Sequence, residues 1–275
     1  MKKALPHLRT LSLTVRLIGG LFLALGLPGI AEADDREFCA DRPGLGTSSC
    51  TLAPGDVMIE LGIAGWDHSS DAAAVSDEWN AGEVLVRIGV GERTEVQIGH
   101  DGFSASRVRN RATGSNSRES GLGDVIVAMQ RGLSGANGSV AAQVFLTLPT
   151  GRSGIGAGTW SVGAKLPATL PLSNDFELGL TPEIAAAANA SGSGRHLAWG
   201  GVVGLGRSLG RSLSAEIELA GWRNLDPAGH FTTAQAAFSL AWQPARDWQL
   251  DAEIDLGLTA ATPGRAISLG LARRF

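Results

Sequence analysis

From residue 56 to the C-terminus the chain repeats one pattern. About ten residues in which apolar side chains alternate with polar or small ones are followed by a connection. A period of two belongs to a strand whose two faces meet different surroundings. Twelve such segments fall at 56–67, 82–91, 94–104, 123–132, 139–149, 159–169, 175–188, 196–207, 213–223, 230–243, 248–259 and 266–275, and helical spacing is nowhere sustained. The connections alternate in length. Gly91-Glu92-Arg93, Ser134 to Gly138, Pro171 to Asn174, Ser208 to Ser212 and Pro244 to Asp247 are tight turns, while 68–81, 105–122, 150–158, 189–195, 224–229 and 260–265 are longer.

Alternation alone leaves open which face is wet. A soluble sandwich or small barrel buries its apolar face, whereas a membrane barrel turns that face to lipid. No run of 18 or more apolar residues occurs after the first 33 positions, so a helical membrane bundle is excluded. A lipid-spanning barrel accounts for the turn asymmetry, the even strand number and the aromatic residues. With the long connections at the external end, Trp66, Phe103, Trp160, Trp199, Trp222 and Phe231 gather there, and Phe176, Trp242, Trp248 and Phe275 gather at the other. Midstrand positions on the apolar face are often Ala or Gly, too small for a dense soluble core. The expected fold is all-β: a twelve-stranded antiparallel transmembrane β-barrel over 56–275 with a short N-terminal periplasmic segment, located in a bacterial outer membrane.

Residues 1–33 read as a signal peptide. Lys2, Lys3, Arg9 and Arg16 precede an apolar stretch from Leu17 to Ile30, and Ala31-Glu32-Ala33 fits a cleavage site; an uncleaved anchor is the alternative. Four of the 23 basic and one of the 27 acidic residues leave with it, so 19 basic residues face 26 acidic ones in the mature chain. Such a balance gives no electrostatic claim on nucleic acid. The two cysteines, Cys39 and Cys50, lie in the Pro/Gly-rich segment 34–55 and are expected to pair in an oxidising compartment. The segment could insert into the lumen as a plug, cap its periplasmic exit, or remain a disordered leader.

Asp41-Arg42-Pro43-Gly44, Thr51-Leu52-Ala53-Pro54-Gly55 before a strand carrying Glu60, Gly121-Leu122-Gly123-Asp124-Val125, Leu148-Pro149-Thr150-Gly151 and the terminal Phe275 together make a set. In these motifs the chain resembles the outer-membrane β-barrel family known as transporters or as meta-pathway phenol-degradation proteins. The resemblance spans the mature chain and implies passage of small organic compounds. It also implies recognition of Phe275 by the barrel-assembly machinery. The chain departs from the family by lacking Tyr and by carrying Arg273 where an apolar or aromatic residue is usual.

On the polar face, Glu60, Glu83, Glu95, Asp124, Glu177, Glu183, Glu216, Glu218, Asp251, Glu253 and Asp255 stand against Arg87 and Lys165 as expected lumen-lining residues. Either they set a field that favours cations, or they hydrate and cross-link a narrow interior with Gln97, Gln130, Gln143, Gln235, Gln243 and Gln249. Arg107, Arg109, Arg111 and Arg118 in connection 105–122 would face lipopolysaccharide phosphates, or solvent. His68, His100, His196 and His230 fall near the external end, where a metal or proton-sensitive site and simple solvation both fit. His100 and Ser104, four apart on one expected strand face, lie roughly 13 Å apart, too far for a nucleophile and its base. Gly154-Ile155-Gly156-Ala157-Gly158 lacks a following helix and a phosphate-binding Lys, and reads as a flexible external loop. No catalytic residue, metal or cofactor is expected. The expected function is passive uptake of small, aromatic or apolar solutes. The alternatives are a filled structural or adhesion barrel, or an outer-membrane lipid-modifying enzyme.

Overall fold

The computed structural model describes residues 36–134 and 139–275. The expected signal peptide and most of the turn from Ser134 to Gly138 lie outside them. Sixteen strands follow in order: β1 (Val57–Ser70), β2 (Ala74–Ala81), β3 (Glu83–Gly91), β4 (Thr94–His100), β5 (Phe103–Asn110), β6 (Asn116–Leu122), β7 (Val125–Gly132), β8 (Ala141–Leu148), β9 (Ser161–Lys165), β10 (Ala168–Pro171), β11 (Phe176–Ala188), β12 (Arg195–Ser208), β13 (Leu213–Asn224), β14 (Phe231–Ala245), β15 (Trp248–Gly257) and β16 (Arg265–Arg274). Four pairs are halves of a single span. β2 and β3 meet at Gly82, β4 and β5 at Asp101 and Gly102, β6 and β7 at Gly123 and Asp124, and β9 and β10 at Leu166 and Pro167. The result is twelve spans paired antiparallel with their sequence neighbours, and β1 pairs with β16 to close the wall. Closure leaves no sheet edge in lipid.

The interruptions have local causes. Gly102 has φ of 73°, and a Cβ on it would lie 2.5 Å from the Glu83 backbone nitrogen, so the wall bends there only because the position is glycine. Pro167 has no N–H to give to the ladder. The break at Asp101 and Gly102 also corrects the expected placement of His100 and Ser104 on one strand face. His100 stands opposite Val84, whereas Ser104 stands opposite Asn80 and donates to its side chain at 2.6 Å.

Connections 68–81 and 105–122, expected as loops, are instead strand. β1, β2, β5 and β6 continue the wall beyond the membrane as two long hairpins. Their sequences escape the period-two pattern because both faces there meet water. Ladder hydrogen bonds, rather than an apolar face, hold them.

Polarity is inverted relative to a soluble protein. Ile98, Val144, Ile184, Val203, Leu219, Phe238, Ile254 and Leu269 are exposed on the outside, while Glu60, Arg87, Glu95, Gln97, Gln130, Gln143 and Glu253 are buried inside. That distribution suits hydrocarbon outside and a polar lumen within. Trp66, Phe103, Trp160 and Trp199 share the outer face at the long-connection end with Trp79, which also belongs to that girdle. Trp222 and Phe231 do not. Trp222 has the strand parity of inward Glu218 and Ala220, and the Phe231 ring lies 6.5 Å from buried His196. At the opposite end the Arg273 guanidinium lies 4.8 Å from the Trp248 ring and 4.5 Å from the Phe275 ring. Its charge is therefore covered by aromatic faces at the membrane boundary.

Leu219, at the centre of β13 and exposed to lipid, provides a test of this orientation. Leu219→Arg is expected to cost about 2–4 kcal/mol in denaturant unfolding from lipid vesicles, the penalty of a cation near the bilayer midplane.

Candidate solute pathway through the barrel

Residues 36–56 form no strand and run inside the lumen, where inward side chains of the wall receive their backbone. Glu60 accepts from the amides of Asp41 and Arg42 at 3.0 and 2.8 Å, and Glu218 from those of Leu45 and Gly46 at 2.6 and 2.9 Å. Glu95 accepts from Leu52 at 2.9 Å, while Thr181 Oγ1 accepts from Thr47 at 3.1 Å. Gln130 Nε2 donates to the carbonyls of Ser48 and Cys50, and Gln249 Nε2 to that of Arg42. Cys39 and Cys50 are joined in a disulfide with Cα atoms 6.5 Å apart, which closes this segment on itself. The barrel's last residues hold its beginning, since Arg274 donates to the Arg36 carbonyl at 2.9 Å.

Arg87 is the post around which this docking is arranged. It is fully buried, and its guanidinium reaches Glu95 at 2.8 Å, Glu60 at 3.3 Å, Asp41 at 3.5 Å and the Cys39 carbonyl at 2.7 Å. A buried cation so placed neutralises carboxylates that would otherwise repel one another. Arg42 plays the reciprocal part from the segment, reaching Asp251 at 3.1 Å and Glu83 at 3.4 Å. Lys165 lies 3.2 Å from Thr47 Oγ1, 4.0 Å from Glu183 and 5.5 Å from the Phe145 ring centre.

Glu177 and Glu216 differ from these anchors, because neither side chain makes a hydrogen bond or ion pair among the described residues. They lie along the β11–β13 wall over inward glycines: a Cβ on Gly204 would sit 2.2 Å from Glu216 Oε1, and one on Gly206 3.1 Å from Glu177 Cγ. The glycines leave room for both side chains between wall and segment. Glu253 is buried, with Asp255 following it on the inward face of β15.

Three cavities follow one another past the segment. The largest, about 370 Å³, opens above Arg42, Gly44, Gly46 and Thr47 and is lined by Leu85, Ile126, Phe145, Lys165, Glu83 and Glu183. That is the volume of a small-molecule site. A second of about 140 Å³ lies between Pro43 to Ser48 and the wall at Gly179, Gly204, Glu177 and Glu216. The third, about 70 Å³, shares Pro43, Glu177 and Glu216 with it and continues to Ser208 and Ser214 at the tight-turn end.

Asp124 is placed apart from these cavities. Its carboxylate accepts from the amides of Gly151 and Ala157 at 2.8 and 2.7 Å, so connection 150–158 is pinned to the barrel mouth and is not the flexible loop its glycines suggested. Asp226 ties two further connections by accepting from Ala190 and Ala228, and these amides hold its carboxyl below the usual carboxylate range. The histidines are not brought together. His68 bonds Asp77 at 2.9 Å, His100 accepts from Gly102 at 2.8 Å, and His196 bonds Asn189 and Asn224 at 3.1 Å each. No group of three or more metal-binding side chains forms among the described residues. Phe145, Trp222 and Phe231 are inward aromatics that the sequence reading missed; strand parity, carried from neighbouring Gln143, Glu218 and Gln235, was the available signal.

Removing Arg87 tests the docking. Arg87→Met leaves Glu60 and Glu95 buried without their cation, a loss of about 3–5 kcal/mol. It is expected to speed hydrogen exchange at the amides of Arg42 and Leu52 and to open residues 36–56 to protease, while the barrel still migrates as a heat-modifiable species.

Residues 40–275 match the model of the family described as "Putative MetA-pathway of phenol degradation". Comparison with curated proteins gives no match. Among solved structures, an outer-membrane channel from Pseudomonas putida F1 superposes with a TM-score of 0.61 at 16% identity, covering 89% of this chain and 100% of that one. The translocator domain of the autotransporter NalP from Neisseria meningitidis superposes with 0.53 at 12% identity, covering 96% and 95%. The β domain of a Bordetella autotransporter gives 0.51 at 13%, covering 82% and 100%. At these identities the likeness is one of fold, and the fold is that of an outer-membrane barrel. With a closed wall, a lipid-facing belt and a match over nearly its whole described length, the chain belongs to the phenol-degradation family of outer-membrane β-barrels.

Proposed function

We propose that the protein is a passive channel through which small organic solutes, neutral or cationic and aromatic or apolar in body, cross the outer membrane. The observation that carries this reading is the row of three cavities beside the lumen segment, the widest against β3, β4, β7, β8 and β9 and the two narrower ones against the β11–β13 wall. The tight turns and both barrel termini lie at one end, which faces the periplasm in barrels of this type. Solute enters the wide cavity from outside, where Leu85, Ile126 and Phe145 offer apolar contact. It then passes Glu177 and Glu216, whose carboxylates have no cation beside them and disfavour anions.

This division accommodates both an acidic lumen and an apolar cargo. Most of the carboxylates along the three cavities anchor residues 36–56 or pair with Arg42, Arg87 and Lys165, which leaves Glu177 and Glu216 as the uncompensated pair on that path, while Glu253 and Asp255 lie outside it on the inner face of β15. The family's phenol-degradation description supports the aromatic cargo. Phe275, on the outer face beside Arg273, is the residue we assign to recognition by the barrel-assembly machinery. The reading requires no catalytic residue, metal or cofactor. A filled structural barrel is the second reading, favoured by the many bonds that hold the segment in place.

Planar-bilayer recordings distinguish the two. The refolded protein is expected to conduct with a preference for cations, to lose that preference several-fold in Glu177→Gln/Glu216→Gln, and to conduct more strongly once residues 36–55 are deleted. Silence from all three proteins would establish the filled barrel. Liposome swelling with phenol, a phenyl-substituted amine and a phenyl-substituted carboxylate measures the selectivity for organic solutes, with the carboxylate expected to be slowest.

A further inference from the structure

The hairpins that continue the wall beyond the membrane carry a row of charge on their outer face. Arg118 stands opposite Arg107, Arg107 opposite Asp77, Asp77 opposite His68, and His68 opposite Arg265, across β6, β5, β2, β1 and β16. Two residues toward the membrane on the same strands lies Ala105, then Trp79, Trp66 and Ile267. The charged row is therefore about 7 Å above the girdle, at the level where lipid head groups begin. Arg109 adds a further cation one repeat outward, opposite Val75.

The row is organised. Asp77 accepts from Trp66 Nε1 at 3.3 Å and pairs with His68 at 2.9 Å, and the Arg265 guanidinium lies 5.4 Å from the centre of the Trp66 ring. These contacts leave the Arg107 and Arg118 guanidiniums exposed, with only the long bonds of Arg107 to Asn116 at 3.3 and 3.4 Å. Arg111 is not part of it: its guanidinium closes the hairpin tip on Ser70 Oγ and the Asp71 carbonyl at 2.7 and 2.8 Å. The inward carboxylates of the same hairpins, Glu78 and Glu119, lie on the opposite face of the sheet. The outer face thus presents four arginines and one carboxylate directly above two tryptophans.

We propose that Arg107, Arg109, Arg118 and Arg265 form a seat for the phosphates of lipid A, the anchor of lipopolysaccharide in the outer leaflet. Guanidiniums grip phosphate oxygens in pairs, and Trp66 and Trp79 below them lie against the acyl-chain boundary. A phosphorylated saccharide with acyl chains is the partner that meets both halves of the surface, cationic above and aromatic below. The seat is independent of the solute pathway, which lies on the other side of the wall.

Native mass spectrometry of the mature protein in a neutral detergent, titrated with bis-phosphorylated lipid A and with the same lipid stripped of phosphate, tests the seat. Arg107→Gln/Arg109→Gln/Arg118→Gln/Arg265→Gln is expected to weaken binding of the phosphorylated lipid at least about tenfold and to leave the stripped lipid unaffected. Arg131→Gln/Arg207→Gln, which removes two exposed cations from the tight-turn end, is expected to change neither. Equal affinity of the wild type for both lipids, or the same loss from the tight-turn pair, overturns the proposal. Heat-modifiable migration checks folding of each variant. If the quadruple variant fails that check, Arg107→Gln and Arg118→Gln are each expected to lose about threefold, and less than twofold from both overturns the proposal.

Discussion

In hydrocarbon no backbone N–H or C=O can be left for water to satisfy, so a sheet that enters a bilayer must close on itself. The pairing of β1 with β16, from Met58 opposite Arg274 to His68 opposite Arg265, meets that requirement. Everything else in the molecule follows from it. Closure fixes which side chains face out, makes the apolar stripe of each strand a lipid-facing belt, and encloses a lumen whose polar groups must then find partners among themselves.

The lumen solves that second problem with backbone. Carboxylates at Glu60, Glu95 and Glu218 meet the amides of a segment that has no secondary structure of its own, and Arg87 neutralises the most buried of them. A carboxylate accepting two amides is well satisfied, whereas the same group facing an empty lumen would have only water. The acidic interior is therefore largely a docking surface. Glu177 and Glu216 stand outside that arrangement, and the small residues beside them, Gly204 and Gly206, give the abundance of glycine a physical meaning: space on the inner wall.

The strands were legible because lipid imposes a strict period of two over the stretch that crosses it. Where the wall leaves the membrane the imposed pattern ends, and β2, β5 and β6 passed for loops. The same limit explains Trp222 and Phe231. Assigning them to a girdle used only their position along the chain, while their facing depends on strand parity continued from Glu218 and Gln235. Arg273 breaks the apolar pattern of the C-terminus, and the rings of Trp248 and Phe275 beside it supply the reason, which depends on a neighbouring strand. The basic residues in connection 105–122 were recognisable as a group, yet Arg111 separates from the others only when the hairpin register is known.

By itself, the sequence determined the class of the fold, its strand number and the turn asymmetry between its ends, because each is a one-dimensional consequence of crossing a bilayer repeatedly. It also placed the ionisable residues of the wall on one face. Only the tertiary structure decided what that face does. Which carboxylates receive the N-terminal segment, which remain unpaired beside a cavity, and which arginines align across five strands depend on register and on contacts between residues as far apart as Arg42 and Asp251. Such contacts arise from closure of the whole wall, and no local pattern in the chain encodes them.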